Sequence, residues 1–210
     1  VNLKLPENIE PAILHSSRLK VEHIKKMKIN KLDEEERIFK MKVINDTKGG
    51  YKDFDISTLK NNTLAEDEFK TKKGAQVMCI MNMESSGHPG IVNGRRGYIK
   101  DFTKDGLPVV QFHSGIVHVM KPQIWKSDTC EGLSIEQLPL IHAWAITIHK
   151  SQGLSIDQAR MNIGSNIFEC GQTYVALSRV KNLNGLFIDE LDISKIKINK
   201  KVQEFYNKIK

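Results

Sequence analysis

Cysteine is scarce in this chain. Cys79, Cys130 and Cys170 are the only three among 210 residues, and no C-x-x-C pair occurs. That spacing argues against a disulfide framework and against a zinc ribbon. A reducing, intracellular setting is expected, whether nucleus, mitochondrion, bacterial cytoplasm or viral factory. No apolar run approaches the about 18 residues of a membrane-spanning helix. The first residues, Val1-Asn-Leu-Lys-Leu-Pro6, lack an initiator Met and a charged segment leading into an apolar one, so no secretory leader is read there. The chain is expected to be a piece of a longer one. Neither G-x-x-x-x-G-K-[ST] nor G-x-G-x-x-G occurs among its 14 glycines, which removes a phosphate loop and with it a self-contained nucleotide hydrolase. No G-x-S-x-G elbow supports nucleophilic catalysis.

What is present is a folded composition, with 40% hydrophobic and 27% charged residues. The net charge of +7 and pI near 9.2 suit a polyanionic partner without identifying one. Arginine is rare beside lysine and stands only at 18, 37, 95, 96, 160 and 179, so each arginine is a candidate.

Pro11–Ser16 reads as a strand leading into a helix capped by Ser17, with Val21, Ile24 and Met27 at helical spacing and an end at Asp33–Glu36. Residues 45–73 are polar and read as loop. Gly74–Asn82 is a compact strand. From Gly90 the pattern becomes short strands (Gly97–Phe102, Leu107–Phe112, Gly115–Met120, Gln123–Trp125) with Asn93-Gly94 and Asp105-Gly106 as turn dipeptides. After Leu138 it returns to a long apolar strand, Leu140–Ile148, then Ala159–Ile163 and a helix over Gln172–Val180. The expected fold is an α/β lobe (1–89 and 137–210) interrupted by an inserted small β-barrel (90–136).

Two segments carry chemistry. In Ala143-Trp-Ala-Ile-Thr-Ile-His-Lys-Ser-Gln-Gly153 a buried strand ends in Thr147, His149, Lys150, Ser151 and Gln152. In open α/β sheets ligands sit at the carboxyl ends of strands, and Gly153 lets a ligand approach the backbone. The bland alternative is a polar loop closing off a core strand. In Gly171-Gln-Thr-Tyr-Val-Ala-Leu-Ser-Arg-Val180, Val175 and Arg179 share a helix face. A lone guanidinium there either pairs with an acid or reaches a phosphate, and spacing does not choose. Asp189-Glu190, which ends an apolar strand, resembles a magnesium-binding pair but is read as surface acids, since no phosphate loop precedes it. His113 and His118 match no metal-ligand spacing, and no metal site is assigned.

Together these segments resemble the last two motifs of superfamily 1 helicases, most closely those of the petite-integration-frequency (PIF-type) family, relatives of the RecD and Dda helicases. Lys73–Met78, Gly90–Gly97, Leu107–Phe112, Leu138–Leu140, Ile196–Lys200 and Val202–Tyr206 also resemble that family and occur in its order. The resemblance implies that the lobe is the second RecA-like (P-loop NTPase-like) motor lobe, and that the insertion is a barrel of the Src-homology-3-like kind. The first lobe, which carries the phosphate loop, would be the missing partner.

It further implies an ATP-dependent 5′→3′ helicase acting on single-stranded and forked duplex DNA, in repair, recombination, replication or telomere maintenance. ATP and Mg²⁺ would serve it, the metal held mainly by the other lobe. Arg179 would be catalytic. Gln152, Gly153 and Arg179 would meet the nucleotide, and Thr147, His149, Lys150, Asn82, Asn93 and Gly94 the DNA. Arg95 and Arg96 are either further phosphate contacts or a solvated basic turn. A monomer is expected, inactive as an ATPase by itself. The alternative is a non-catalytic module, derived from a helicase lobe, that binds single strands. A small-barrel RNA-binding protein is a third.

Overall fold

A computed structural model describes residues 10–46, 50–83 and 90–209, so Val1–Ile9 lie outside the described residues. The chain forms two compact units, one over residues 29–143 and the other over 10–28 with 144–210.

The second of these is the α/β unit. Strands β1 (Ala12–His15), β12 (Ala145–Thr147), β13 (Ala159–Ile163) and β14 (Leu186–Leu191) form a sheet in the order β12-β1-β13-β14. Every pairing in it is parallel. Leu14, Ala145, Ile146, Ile148, Ile156, Ala159, Met161 and Ile163 are buried in it; burial alternates along β1 and β13 and is complete along β12, as expected of strands that pack one face more fully than the other. Helix α1 (Arg18–Asn30) follows β1. Its start is the expected one, with the Ser17 hydroxyl accepting from the Lys20 N–H at 3.4 Å, the bond an N-cap serine makes. Its end comes at Asn30, earlier than the acidic run suggested. Helices α3 (Gln172–Leu177) and α4 (Lys200–Lys208) lie in the same unit.

The first unit is β-rich. Strands β5 (Gln76–Cys79), β6 (Arg96–Phe102), β7 (Pro108–Phe112), β8 (Val117–Val119) and β11 (Leu140–His142) make an antiparallel sheet in the order β11-β5-β6-β7-β8. A second sheet has the order β3-β10-β9, from Lys42–Asn45, Leu133–Gln137 and Gln123–Lys126. A third pairs β2 (Arg37–Lys40) with β4 (Glu68–Thr71). The five-stranded order is open, and among the described residues no ladder closes it into a barrel.

Several expectations are corrected here. The polar stretch 45–73 is not loop: it holds α2 (Asp53–Asn61) and β4. Asp53 and Asp55 stand in the first turn of α2, where a helix favours negative charge, and the Asp55 carboxylate accepts from the Lys52 N–H at 2.9 Å. Buried Leu59 of α2 packs with Leu133 and Ile135 of β10, a partner about 75 residues away that local pattern does not reveal. Leu140–Ile148 is two strands, not one. Ala143 donates to the Gln76 carbonyl at 2.9 Å, while the Trp144 carbonyl accepts from the Ile13 N–H at 2.9 Å, so the run changes partners in one peptide step. Apart from these corrections, β5 and β11 are ladder strands of the same sheet as β6, and the boundaries expected at 89/90 and 136/137 stay an expectation.

Gly97 shows how tightly that sheet is built. A Cβ at this position would meet the Gln111 carbonyl oxygen and lie 2.9 Å from the Phe112 Cα, both backbone atoms of β7. Neither can swing aside as a side chain would. Gly97→Ala is therefore expected to destabilise the β-rich unit by ~1–3 kcal/mol, the range for overpacking a closed site, read as a lowered urea midpoint of the chain.

Candidate functional site

The parallel register decides what stands at the end of the α/β sheet. Ile13 lies opposite Ala145, Leu14 opposite Ile146 and His15 opposite Thr147, so both strands finish at one edge. Beyond Thr147 the chain turns at once. Ser151 N–H donates to the Thr147 carbonyl at 3.0 Å, Gln152 N–H to the His149 carbonyl at 3.2 Å and Leu154 N–H to the Ser151 carbonyl at 3.0 Å. The Thr147 hydroxyl accepts from the Lys150 N–H at 3.2 Å, and the Ser151 hydroxyl donates to the Ile148 carbonyl at 2.7 Å. Two side chains thus act as backbone surrogates that close the turn.

This sorts the polar residues of the segment. Thr147 is 9% exposed and Ser151 fully buried, with hydroxyls turned into the loop. His149, Lys150, Gln152 and Gly153 are exposed and face solvent. Gly153 has φ +79° with nothing within 4 Å of where a Cβ would stand, so conformation rather than crowding calls for glycine. His15 was not among the expected site residues; its segment was read only as a strand. It accepts from the Ser17 N–H through Nδ1 at 2.9 Å. Partial burial, then the nearby Lys20 ammonium, push its pKa down.

Arg179 comes to the same loop. It is half-buried, two residues past α3, with Nε donating to the Val175 carbonyl at 3.0 Å. Nη1 reaches the carbonyls of Ser151 and Leu154 at 3.5 and 3.4 Å, and Nη2 donates to the Ser178 hydroxyl at 2.9 Å. The two segments singled out in the sequence therefore meet. The choice between an acid and a phosphate is also narrowed, because its hydrogen-bond partners are neutral oxygens and no ion pair to Arg179 is seen among the described residues. Asp189 instead stands 3.6 Å from Arg160, and Glu190 accepts from Asn162 and Ser165. Those hydrogen bonds from Asn162 and Ser165 hold its carboxyl below the ordinary range.

The remaining three candidates lie together in the β-rich unit. The Asn93 N–H donates to the Asn82 side-chain oxygen at 2.8 Å. Arg95 N–H donates to the Val92 carbonyl at 3.0 Å, closing a four-residue turn whose third residue, Gly94, has φ +89°. This is the glycine a type II turn calls for. Gly94 N–H donates in turn to the Cys79 carbonyl at 2.9 Å. Of the two neighbouring arginines, Arg96 is fully buried, so neither alternative expected for it, a phosphate contact or a solvated basic turn, holds, and it is a core residue. Arg95 is half-buried, its Nε donating to the Gly90 carbonyl at 3.2 Å.

The comparisons place the chain among DNA helicases. Residues 56–102 match the family model described as DNA helicase Pif1, 2B domain. Over 158 residues the chain is 42% identical to an ATP-dependent DNA helicase PIF1 of Xenopus laevis, a match covering 73% of this chain and 24% of that protein. Its structure is similar to that of Pif1 helicase from Candida albicans, with a TM-score of 0.73 and 30% identity, covering 100% of this chain and 52% of the other. It is also similar to Bacteroides sp Pif1 in complex with ADP-AlF4, with a TM-score of 0.74 and 26% identity, covering 95% and 45%. Bacteroides Pif1 bound to ssDNA matches with a TM-score of 0.60 and 25% identity, covering 98% and 46%. The chain belongs to the Pif1 helicase family, as a C-terminal part of such a helicase. It spans about a quarter of that relative's length and about half of each solved structure.

Two outcomes follow from the Asn82 region. Asn82→Ala is expected to loosen the Val92–Arg95 turn by about 0.5–1.5 kcal/mol, the net worth of one hydrogen bond, seen as faster exchange of the Asn93 amide hydrogen. Burial pushes the Cys79 thiol up to about 11. At pH 8 a thiol reagent should modify exposed Cys170 and spare Cys79 until the unit unfolds. Because the unfolded chain ionises this thiol first, its contribution to stability should fall as pH rises past the ordinary thiol range.

Proposed function

We propose that this chain is the C-terminal part of an ATP-dependent DNA helicase that moves 5′→3′ on single strands and unwinds forked duplex. The α/β unit is its second RecA-like motor lobe, and the β-rich unit contains its inserted small barrel of the Src-homology-3-like kind. The observation that carries this reading is the meeting of Arg179 with the Thr147–Leu154 turn at the carboxyl end of a parallel sheet. It is supported by the relatives' names, which call them ATP-dependent DNA helicases, and by neighbours in complex with ADP-AlF4 and with ssDNA.

The residues present fit half of a nucleotide site. A guanidinium has five N–H donors, and the four hydrogen bonds of Arg179 leave one for an incoming acceptor. Two of those four are long and directed at neutral carbonyls, so a phosphate oxygen is the better partner for the charge. Bound nucleotide would supply the phosphoryl group, with Mg²⁺ held mainly by a preceding lobe that contains the phosphate loop. Arg179 would stabilise charge on the transferring phosphoryl, and Gln152 and Gly153 would lie beside it. Thr147, His149 and Lys150 would hold a DNA strand at phosphate and sugar, contacts that position without reading sequence. In the β-rich unit, Asn82, Asn93 and Gly94 would add further strand contacts.

The lobe that brings the phosphate loop would also cover apolar surface. In and near α3 in sequence, Phe168, Tyr174 and Leu183 are 69%, 76% and 83% exposed. With that lobe the enzyme would work as a monomer inside the cell.

An arginine reaching across onto a transferring phosphoryl is worth ~10³–10⁵ in rate in related enzymes. In the helicase that carries this chain, Arg179→Ala should cut DNA-stimulated ATP hydrolysis by about 10³ or more and leave single-strand affinity within a few fold. The 210-residue chain alone should hydrolyse no ATP. Retained DNA-stimulated turnover in the variant would remove the catalytic role. It would favour the reading of a non-catalytic module that binds single strands.

A further inference from the structure

The way Arg179 is held points to a second residue. Its Nε donates to the Val175 carbonyl at 3.0 Å and its Nη2 to the Ser178 hydroxyl at 2.9 Å. That hydroxyl donates at 3.0 Å to the same Val175 carbonyl. The three hydrogen bonds close a ring through one carbonyl, one hydroxyl and the adjacent Nε and Nη2 donors on one edge of the guanidinium. A serine hydroxyl has one donor and can accept as well, and here it does both, so its rotor is fixed along with the arginine plane. Arginine is long and rotamer-rich, and without the ring only the two long contacts from Nη1 would orient its far end.

We infer that Ser178 is a positioning residue for Arg179, setting the guanidinium plane before a phosphate arrives. The inference rests on the proposed role of Arg179 at the transferring phosphoryl. A donor that is already aimed stabilises developing charge without reorganising at the moment of reaction, so its loss should appear in kcat rather than in binding. Ser178 is exposed and its backbone N–H keeps its bond to the Tyr174 carbonyl whatever the side chain. Replacing it removes the ring and leaves the end of α3 in place.

The test uses the helicase that carries this chain, with saturating single-stranded DNA. Ser178→Ala should lower the kcat of ATP hydrolysis about tenfold, equivalent to ~1.4 kcal/mol, with KM for ATP and affinity for single strands within about twofold. Ser178→Thr, which keeps the hydroxyl, should restore most of the rate. In an Arg179→Lys background, where no planar fork exists to orient, Ser178→Ala should have no further effect, since only coupled residues depart from additivity. A kcat unchanged in Ser178→Ala overturns the inference. So does a fall shared equally by Ser178→Thr, or one that persists undiminished in Arg179→Lys. If Arg179→Ala abolishes turnover while Ser178→Ala does not slow it, only the role of Ser178 fails. If Arg179→Ala is itself active, the proposed function fails first.

Discussion

The peptide step from Ala143 to Trp144 is the constraint on which the rest depends. On one side the backbone donates to Gln76 in an antiparallel sheet, and on the other it accepts from Ile13 in a parallel one. Side chains at 143–148 are all buried, so nothing in their hydrophobicity marks the change; the hydrogen-bonding partners do. Once Trp144 has joined β1, the register is determined, and with it the pairing of His15 with Thr147. A slip of one residue would turn each of these side chains to the other face of the sheet. The position of the Thr147–Leu154 turn is therefore set by core packing, several residues before any polar side chain takes part.

That turn satisfies itself before it meets a ligand. The Thr147 and Ser151 hydroxyls are spent on the Lys150 N–H and the Ile148 carbonyl, which otherwise would be costly to leave unpaired in a buried loop. The side chains of His149, Lys150 and Gln152 are exposed, and among the described residues none of them closes the turn. Arg179 then docks on two carbonyls of the turn, those of Leu154 and of Ser151, the latter shared with the Leu154 N–H. Carbonyl dipoles orient a guanidinium without neutralising it, whereas a carboxylate at the same place would compete with any phosphate. Arg160 illustrates the contrast, since its charge lies 3.6 Å from the Asp189 carboxylate.

Much of this was legible in the sequence where chemistry is local. The Ser17 cap, the Asn93-Gly94 turn, the strands at 12–15, 159–163 and 186–191, and the two polar segments are all written in nearest-neighbour patterns. The meeting of those segments was suggested only by resemblance, because Ser151 and Arg179 are 28 residues apart and no periodicity links them. What escaped was non-local. Helix α2 has an unremarkable polar composition, and it is held by Leu59 against Leu133 and Ile135. Strand β10, which supplies that contact, went unread for the same reason. Arg96 misled because a charged residue beside a turn reads as solvated, while its strand position, opposite Met78 in the middle of a sheet, places it inside.

The division of labour between the two units explains why the site is incomplete in an informative way. The α/β unit contributes an oriented cation and a pre-closed turn, and the sequence has no glycine-rich phosphate-loop motif. A site built from donors on only one side can respond to a ligand only when a second surface supplies the rest. Under the proposed reading this is what makes a motor possible: the binding free energy of nucleotide is expressed as closure between lobes rather than as affinity for one. The Ser178–Val175–Arg179 ring fits that logic, because a cation fixed in advance makes closure, rather than side-chain reorientation, the event that completes the site.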